Sequence, residues 1–288
     1  FTLLQTWEEV AAAPTFTGLL NESYGSGAEA AYSTRRLNGN ITDCMVIRRA
    51  SDSTTQTIGF DASGNIDEAA INTFCSGTTC TVYQWLDQSG NGNTATAAAQ
   101  ANEPTIYTGG AIVKDNGTTA IDFSAGLFYL DATISDQSQP YSFYNVFQWN
   151  GTSVAHRFFV TGNNFFNRAR IFSLPNYMAA GTALSFNENF WATAGQVQET
   201  LVADGSNSIA RGSGVQIVQG NAGTNSTGTS LKIGARADNG QDFDGFAQEF
   251  LYYPLNKSAG DRTSVEANQG NYFTQNTPLL DTYSGAAA

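Results

Sequence analysis

Positive charge is scarce in this chain: 13 Lys and Arg stand against 25 Asp and Glu in 288 residues, a formal charge of −12 with a pI near 4.3. The only basic clusters are Arg35-Arg36 and Arg48-Arg49. They are too short for the cationic patch that nucleic acid or an anionic membrane surface requires. Histidine occurs once, as His156, and cysteine three times, as Cys44, Cys75 and Cys80, so no zinc-ligand spacing exists. No apolar run is long enough to cross a bilayer, and no signal-peptide pattern is visible. The chain begins at Phe1 rather than Met, which reads as a processed chain or a piece of a longer one.

What the chain has in quantity is Gly, Asn, Ser and Thr around short β-branched or aromatic runs. Examples are Met45–Arg48, Thr81–Trp85, Thr119–Phe123, Tyr141–Trp149, Arg157–Thr161, Ala169–Ser173, Thr200–Ala203, Leu231–Gly234 and Phe246–Tyr252. Many alternate with period two and are bounded by turn residues, as half-buried antiparallel strands are, and their spacing is that of a β-sandwich. Helical signals are few. Asp67–Phe74 reads as a short helix with an acidic first turn, and Ser258–Tyr272 as a second. The chain is long enough for one large all-β domain or two small ones.

Two cysteines close in sequence stand in Asn72-Thr-Phe-Cys75-Ser-Gly-Thr-Thr-Cys80. They could close a small loop as a disulfide or remain two thiols. Cys44 reads as a buried small hydrophobe. The strand after the loop delivers an acid into a Gly/Asn turn, Trp85-Leu-Asp87-Gln-Ser-Gly-Asn-Gly-Asn93. Asp87, Asn91 and Asn93 offer oxygens to a Ca²⁺ ion, the one cofactor the spacing would take, but the run lacks the acidic density of a calcium loop, and turn and capping hydrogen bonds are the favoured explanation. Asp238, Asp242 and Asp244 form a second acidic group of the same kind. The aromatic supply is large, with 19 Phe, 12 Tyr and 4 Trp. Trp149, Tyr177 and Trp191 near strand ends could stack on sugar rings, against the alternative that they fill the core or an interface. Six Asn-x-Ser/Thr sequons occur, at Asn21, Asn40, Asn116, Asn150, Asn225 and Asn256, as many as chance gives in such a composition.

The cysteine loop and the Asp-Gln-Ser-Gly-Asn-Gly-Asn turn resemble the N-terminal catalytic module of glycoside hydrolase family 54, the arabinofuranosidase B type. The resemblance covers residues 31–130 well and the rest loosely. It implies an all-β, concanavalin A-like jelly-roll sandwich with one or two short helices. It also implies two catalytic carboxyls, a Glu in a Met-Glu-Ala-Ile-like strand and an Asp in a Gly-Gly-Asp-Asn stretch. The strand matched to the first is Arg168-Ala-Arg-Ile-Phe-Ser-Leu174, which carries no acid, and Ile233-Gly234 is followed by Ala235-Arg236-Ala237 with Asp238 displaced. The vicinal cysteine pair of the family's sugar pocket is replaced by Val154-Ala-His-Arg-Phe158. Glu249 reads as a structural or solvent-facing strand residue, and His156 as a hydrogen-bonded one.

A weak echo links Leu19–Ala28 to Leu279–Ala287. The expected organisation is an arm or linker over 1–18, a sandwich over 19–276, and over 277–288 a tail or the start of a further repeat. The expected function is a non-catalytic, lectin-like surface domain of a virion (phage capsid, tail or fibre) or another extracellular assembly, for glycan adhesion or structural assembly. Its expected partners are copies of itself or neighbouring structural proteins through Phe1–Gly18 and the tail, together with cell-surface glycans, with no nucleic acid and no membrane insertion. An extracellular α-L-arabinofuranosidase-type hydrolase is the alternative.

Overall fold

The computed structural model describes residues 16–124, 126–150, 156–162, 164–169, 176–186, 195–235 and 243–273, with the backbone alone for 156–157, 164–169, 176–177 and 186. Two antiparallel sheets form the sandwich. One runs through Val215–Gly220, Ser208–Gly212, Gln196–Ala203, Tyr141–Trp149 and Gly245–Tyr253 to Ala30–Ser33 at its far edge. The other runs from Thr55–Gly59 through Asp43–Arg49, Cys80–Trp85, Ala95–Thr96, Leu130–Thr133, Ser230–Ile233 and His156–Thr161 to Asn164–Ala169, Asn176–Ala179 and Ala183–Phe186. The short strand Ile121–Asp122 bridges them, pairing with Ala247 on one side and Thr105 on the other. The expected concanavalin A-like sandwich is the fold observed.

Most expected strands appear at their expected places; Thr119–Phe123 is split by Ala120 into Thr118–Thr119 and Ile121–Asp122, and the end of Ala169–Ser173 lies outside the described residues. Helix α1 spans Glu68–Phe74, with Asp67 capping it by accepting from the Ala70 amide. Helix α2 spans Ala259–Phe273, and the Ser258 hydroxyl accepts from the Asp261 amide at its start.

One expectation fails in an instructive way. Tyr141–Trp149 and Gly245–Tyr253 are buried on both faces rather than half-buried. Phe143, Phe147, Phe158, Phe159 and Phe250 turn inward into the sandwich core. Tyr144, Leu251 and Tyr253 turn outward but are covered by Val265 of α2 and by Leu19. Period-two alternation therefore separates two buried layers, as it does wherever a helix covers a sheet.

Beneath α2 lies a polar layer. Glu249 accepts from Arg35 Nε at 2.8 Å and Nη2 at 3.1 Å, from the Ser33 hydroxyl at 2.8 Å and from Gln269 Nε2 at 3.1 Å. Gln198 Nε2 donates to Gln269 Oε1 at 3.0 Å and to the Thr200 hydroxyl at 3.1 Å. The Arg35 guanidinium also lies 4.9 Å from the centre of the Tyr272 ring. Glu249, read from sequence as structural or solvent-facing, is fully buried and anchors this layer. Of residues 1–18 only the last three are described. Phe16 packs on its own sandwich, 5.0 Å below the Arg36 guanidinium and so close to Gly64 that a Cβ there would meet its ring at 2.2 Å.

Candidate active site

The most family-like residues form a clamp. Asp67 starts α1, the helix ends at Cys75, and the Cys75–Cys80 disulfide joins that end to the next strand, with Cα atoms 5.8 Å apart. That strand delivers Asp87, whose carboxylate accepts from the Ala31 amide at 2.9 Å, the Ser89 amide at 2.9 Å, the Ser89 hydroxyl at 2.6 Å and the Asn93 amide at 3.0 Å. Asn91 and Asn93 donate through Nδ2 to the Glu29 carbonyl at 3.0 and 2.7 Å. Gln88, fully buried, accepts from Leu37 N and donates to the carbonyls of Ser33 and Arg35. Gly90 and Gly92 take φ of +94° and +82°, which suits Gly in a turn this tight. The structure thus brings together the three residues proposed for Ca²⁺ and engages the Asp87 carboxylate with N–H and O–H donors, the pattern of a capped turn.

Other carboxylates divide by partner. Glu103 is paired with Arg48 at 2.8 Å, Glu266 with Arg211 at 2.7 Å and Glu249 with Arg35 at 2.8 Å. Glu199, fully buried, accepts from Asn145 Nδ2 at 3.0 Å inside the sandwich. Asp115 is different. It sits in the hairpin of Lys114–Asp115 and Thr118–Thr119, is 6% exposed, and its Oδ2 has no hydrogen-bond partner among the described residues. Burial pushes its carboxyl up to about 6, against the lowering effect of the Asn116 amide and Gln196.

That hairpin forms one wall of a cleft of about 350 Å³ lined by Thr34, Asp61, Asn65, Glu68, Thr119 and Tyr272 among others. Glu68 accepts from Lys114 at 2.8 Å and from the Thr119 hydroxyl at 2.6 Å. Burial alone would raise its carboxyl, but these two bonds outweigh burial and lower it. Sequence reasoning passed over this hairpin and Asp115. The Asn116-Gly117 turn, with φ of +47° and +83°, was the available signal.

Trp149 lies inside, 6% exposed, with its ring edge-on to Phe243 at 5.3 Å. Trp191 and the Tyr177 side chain lie outside the described residues, as do the His156, Arg168 and Arg170 side chains, Arg236, Asp238 and Asp242. Asp244 is described, and its carbonyl accepts from the Asn150 amide at 2.9 Å. Gly234, in the stretch matched to the family's acid, has φ +96°, and a Cβ there would meet the Phe123 ring at 2.5 Å.

Residues 20–131 match the family model "Alpha-L-arabinofuranosidase B, catalytic". The chain is similar to alpha-L-arabinofuranosidase B of Emericella nidulans, 41% identical over 101 residues, which is 33% of this chain and 19% of that protein. It is 44% identical over 67 residues to alpha-L-arabinofuranosidase B of Aspergillus niger, 23% of this chain and 13% of that one. The chain thus spans under a fifth of the length of the curated relatives it matches. In structure it resembles a family-54 α-L-arabinofuranosidase soaked with 4-nitrophenyl α-L-arabinofuranoside (TM-score 0.66, 21% identity, 84% of this chain and 62% of that one). It likewise resembles an arabinofuranosidase complexed with arabinofuranosyl-α-1,2-xylobiose (TM-score 0.64, 20% identity, 84% of this chain and 62% of that one).

These similarities overturn the non-catalytic, lectin-like virion or adhesion reading, because the relatives are glycoside hydrolases. That reading rested on acids missing around Arg168 and Arg236, beyond the 20–131 match, where strand-by-strand matching had no sequence similarity to hold it in register. The extracellular part of the reading stands: a structural disulfide belongs to an oxidising compartment, and nothing supports a virion surface. Residues 20–131 are arabinofuranosidase B-like, and the chain folds as a concanavalin A-like sandwich.

Proposed function

We propose that the chain is an extracellular α-L-arabinofuranosidase-type glycoside hydrolase module, releasing arabinofuranose from a glycoside. The observation that carries this reading is the 41% identity over 101 residues to an alpha-L-arabinofuranosidase B. The likeness of the whole sandwich supports the scaffold only.

A retaining hydrolase needs a nucleophile and an acid/base about 5–5.5 Å apart. For the acid we propose Asp238, which retains an Asp-Asn context after the Ile233-Gly234 strand end. Gly234 and Phe243 flank that segment. No carboxylate is assigned as nucleophile. Incubation with a cyclic sulfate inhibitor, followed by peptide mass spectrometry, identifies it by the peptide that gains the inhibitor mass. The direct test is release of 4-nitrophenol from 4-nitrophenyl α-L-arabinofuranoside. Turnover that Asp238→Asn reduces by about 10²–10⁴ supports the assignment. An unchanged rate in that variant removes Asp238 from the mechanism.

A further inference from the structure

We propose that Asn40 is the residue at which this chain carries an N-linked glycan. The proposal rests on the extracellular setting and is independent of the hydrolase reading.

In this modification the side-chain amide nitrogen attacks the anomeric carbon of a lipid-diphosphate-linked oligosaccharide. A C–N bond forms, the C–O bond to the diphosphate breaks, the amide loses one proton, and the lipid diphosphate departs. A modified Asn keeps a single side-chain N–H and must direct a large polar chain into water. The fold therefore sorts the six sequons by what each amide nitrogen already does.

Asn116 uses Nδ2 twice, toward the Phe273 carbonyl at 2.9 Å and Gln196 Oε1 at 3.1 Å, so a sugar there displaces the end of α2. Asn256 donates to Asp204 Oδ2 at 3.3 Å, and its own Oδ1 is buried. Asn21 is held by three bonds: Nδ2 donates to Asn38 Oδ1 at 3.4 Å, and Oδ1 accepts from the amides of Gly18 and Gly39 at 3.0 and 2.7 Å. Asn225 packs against Gly181, where a Cβ would meet its Oδ1 at 3.0 Å. Asn150 is exposed, and its Oδ1 accepts from Gln148 at 2.8 Å, but its Thr152 lies outside the described residues.

Asn40 differs from the first four in its unengaged amide nitrogen, and from Asn150 in having its whole sequon among the described residues. It sits at the tip of the turn between Leu37 and the strand Asp43–Arg49, and both it and Thr42 are exposed. Its backbone amide is fixed by Asn38 Oδ1 at 3.0 Å, which holds the turn, while its Nδ2 donates to none of the described residues. A glycan at this tip extends into solvent without breaking any described contact.

The test is secretion of the full chain from a yeast or mammalian host, followed by intact mass before and after peptide N-glycosidase F. The expected result is a glycan mass that the enzyme removes, leaving Asp at position 40, and that is absent in Asn40→Gln. Thr42→Ala removes the sequon while keeping the asparagine, and serves if Asn40→Gln is not secreted. A secreted chain with no removable mass overturns the proposal. So does a removable mass that persists in the secreted sequon variant.

Discussion

Asp115 makes the stability of this protein fall as pH rises from about 4 to about 6. An ordinary aspartate titrates near 3.9, whereas burial lifts Asp115 to about 6. The folded state therefore binds the proton more tightly than the unfolded chain does. Its stabilising contribution is fully present below about pH 4 and is lost as pH rises through about 6. The difference between the two values corresponds to about 3 kcal/mol at most. Because the hairpin lies at the surface, solvent screening reduces this to about 1–2 kcal/mol. Asp52, Asp61 and Glu68, all lowered, lose their contributions in the opposite direction, but only as pH falls below the ordinary carboxylate range. The assay is urea unfolding followed by tryptophan fluorescence at pH 5.0 and 7.5, with wild type beside Asp115→Asn. The variant keeps the side-chain volume and cannot ionise. About half of the contribution is lost between these two pH values, so the variant's stability is expected to change by about 0.5–1 kcal/mol less than that of wild type. Identical changes in the two proteins would refute the burial argument, whatever the absolute cost of the substitution.

Three further outcomes follow from the described contacts. Glu249→Gln leaves the Arg35 guanidinium buried without its carboxylate, and is expected to cost about 3–5 kcal/mol in urea unfolding and to expose α2 to limited proteolysis; a loss under about 1 kcal/mol would contradict it. Replacing Cys75 and Cys80 together by Ala opens a very short loop, for which chain entropy gives about 2 kcal/mol, read as a lowered Tm that added reductant does not lower further. Asp87→Ala removes the acceptor of four hydrogen bonds and is expected to speed hydrogen exchange at the Ala31 amide, while exchange at Phe143, deep in the other half of its sheet, stays slow.

Much of the sandwich was legible in the sequence because turn residues and period-two runs are local signals. Tyr141–Trp149 and the two helices fall where those signals put them. Pairing across long sequence distances was not legible. Glu249 in isolation looks like any strand acid, and only the fold sets it beside Ser33 and Arg35, over two hundred residues away in the chain. For the same reason Trp149, a strand-end aromatic in sequence, proves to be packed inside against Phe243. The turn over Asp87–Asn93 was recognisable as a family mark, yet its work is mechanical: it ties the second sheet's strand Cys80–Trp85 to the first strand, Ala30–Ser33. Its acid was legible as a cap because Asx residues beside glycines bond their own backbone. The step that misled was carrying a family's catalytic positions onto strands beyond the matched segment, where a shift of one residue turns every side chain to the other face.

The most direct measurement is hydrolysis of 4-nitrophenyl α-L-arabinofuranoside by the purified, disulfide-intact chain. Release of 4-nitrophenol that rises linearly with protein concentration and falls in Asp238→Asn is the result expected of an arabinofuranosidase. No release above the uncatalysed rate, from protein whose cooperative urea transition shows it to be folded, would contradict the proposal that this sandwich cleaves arabinofuranosides.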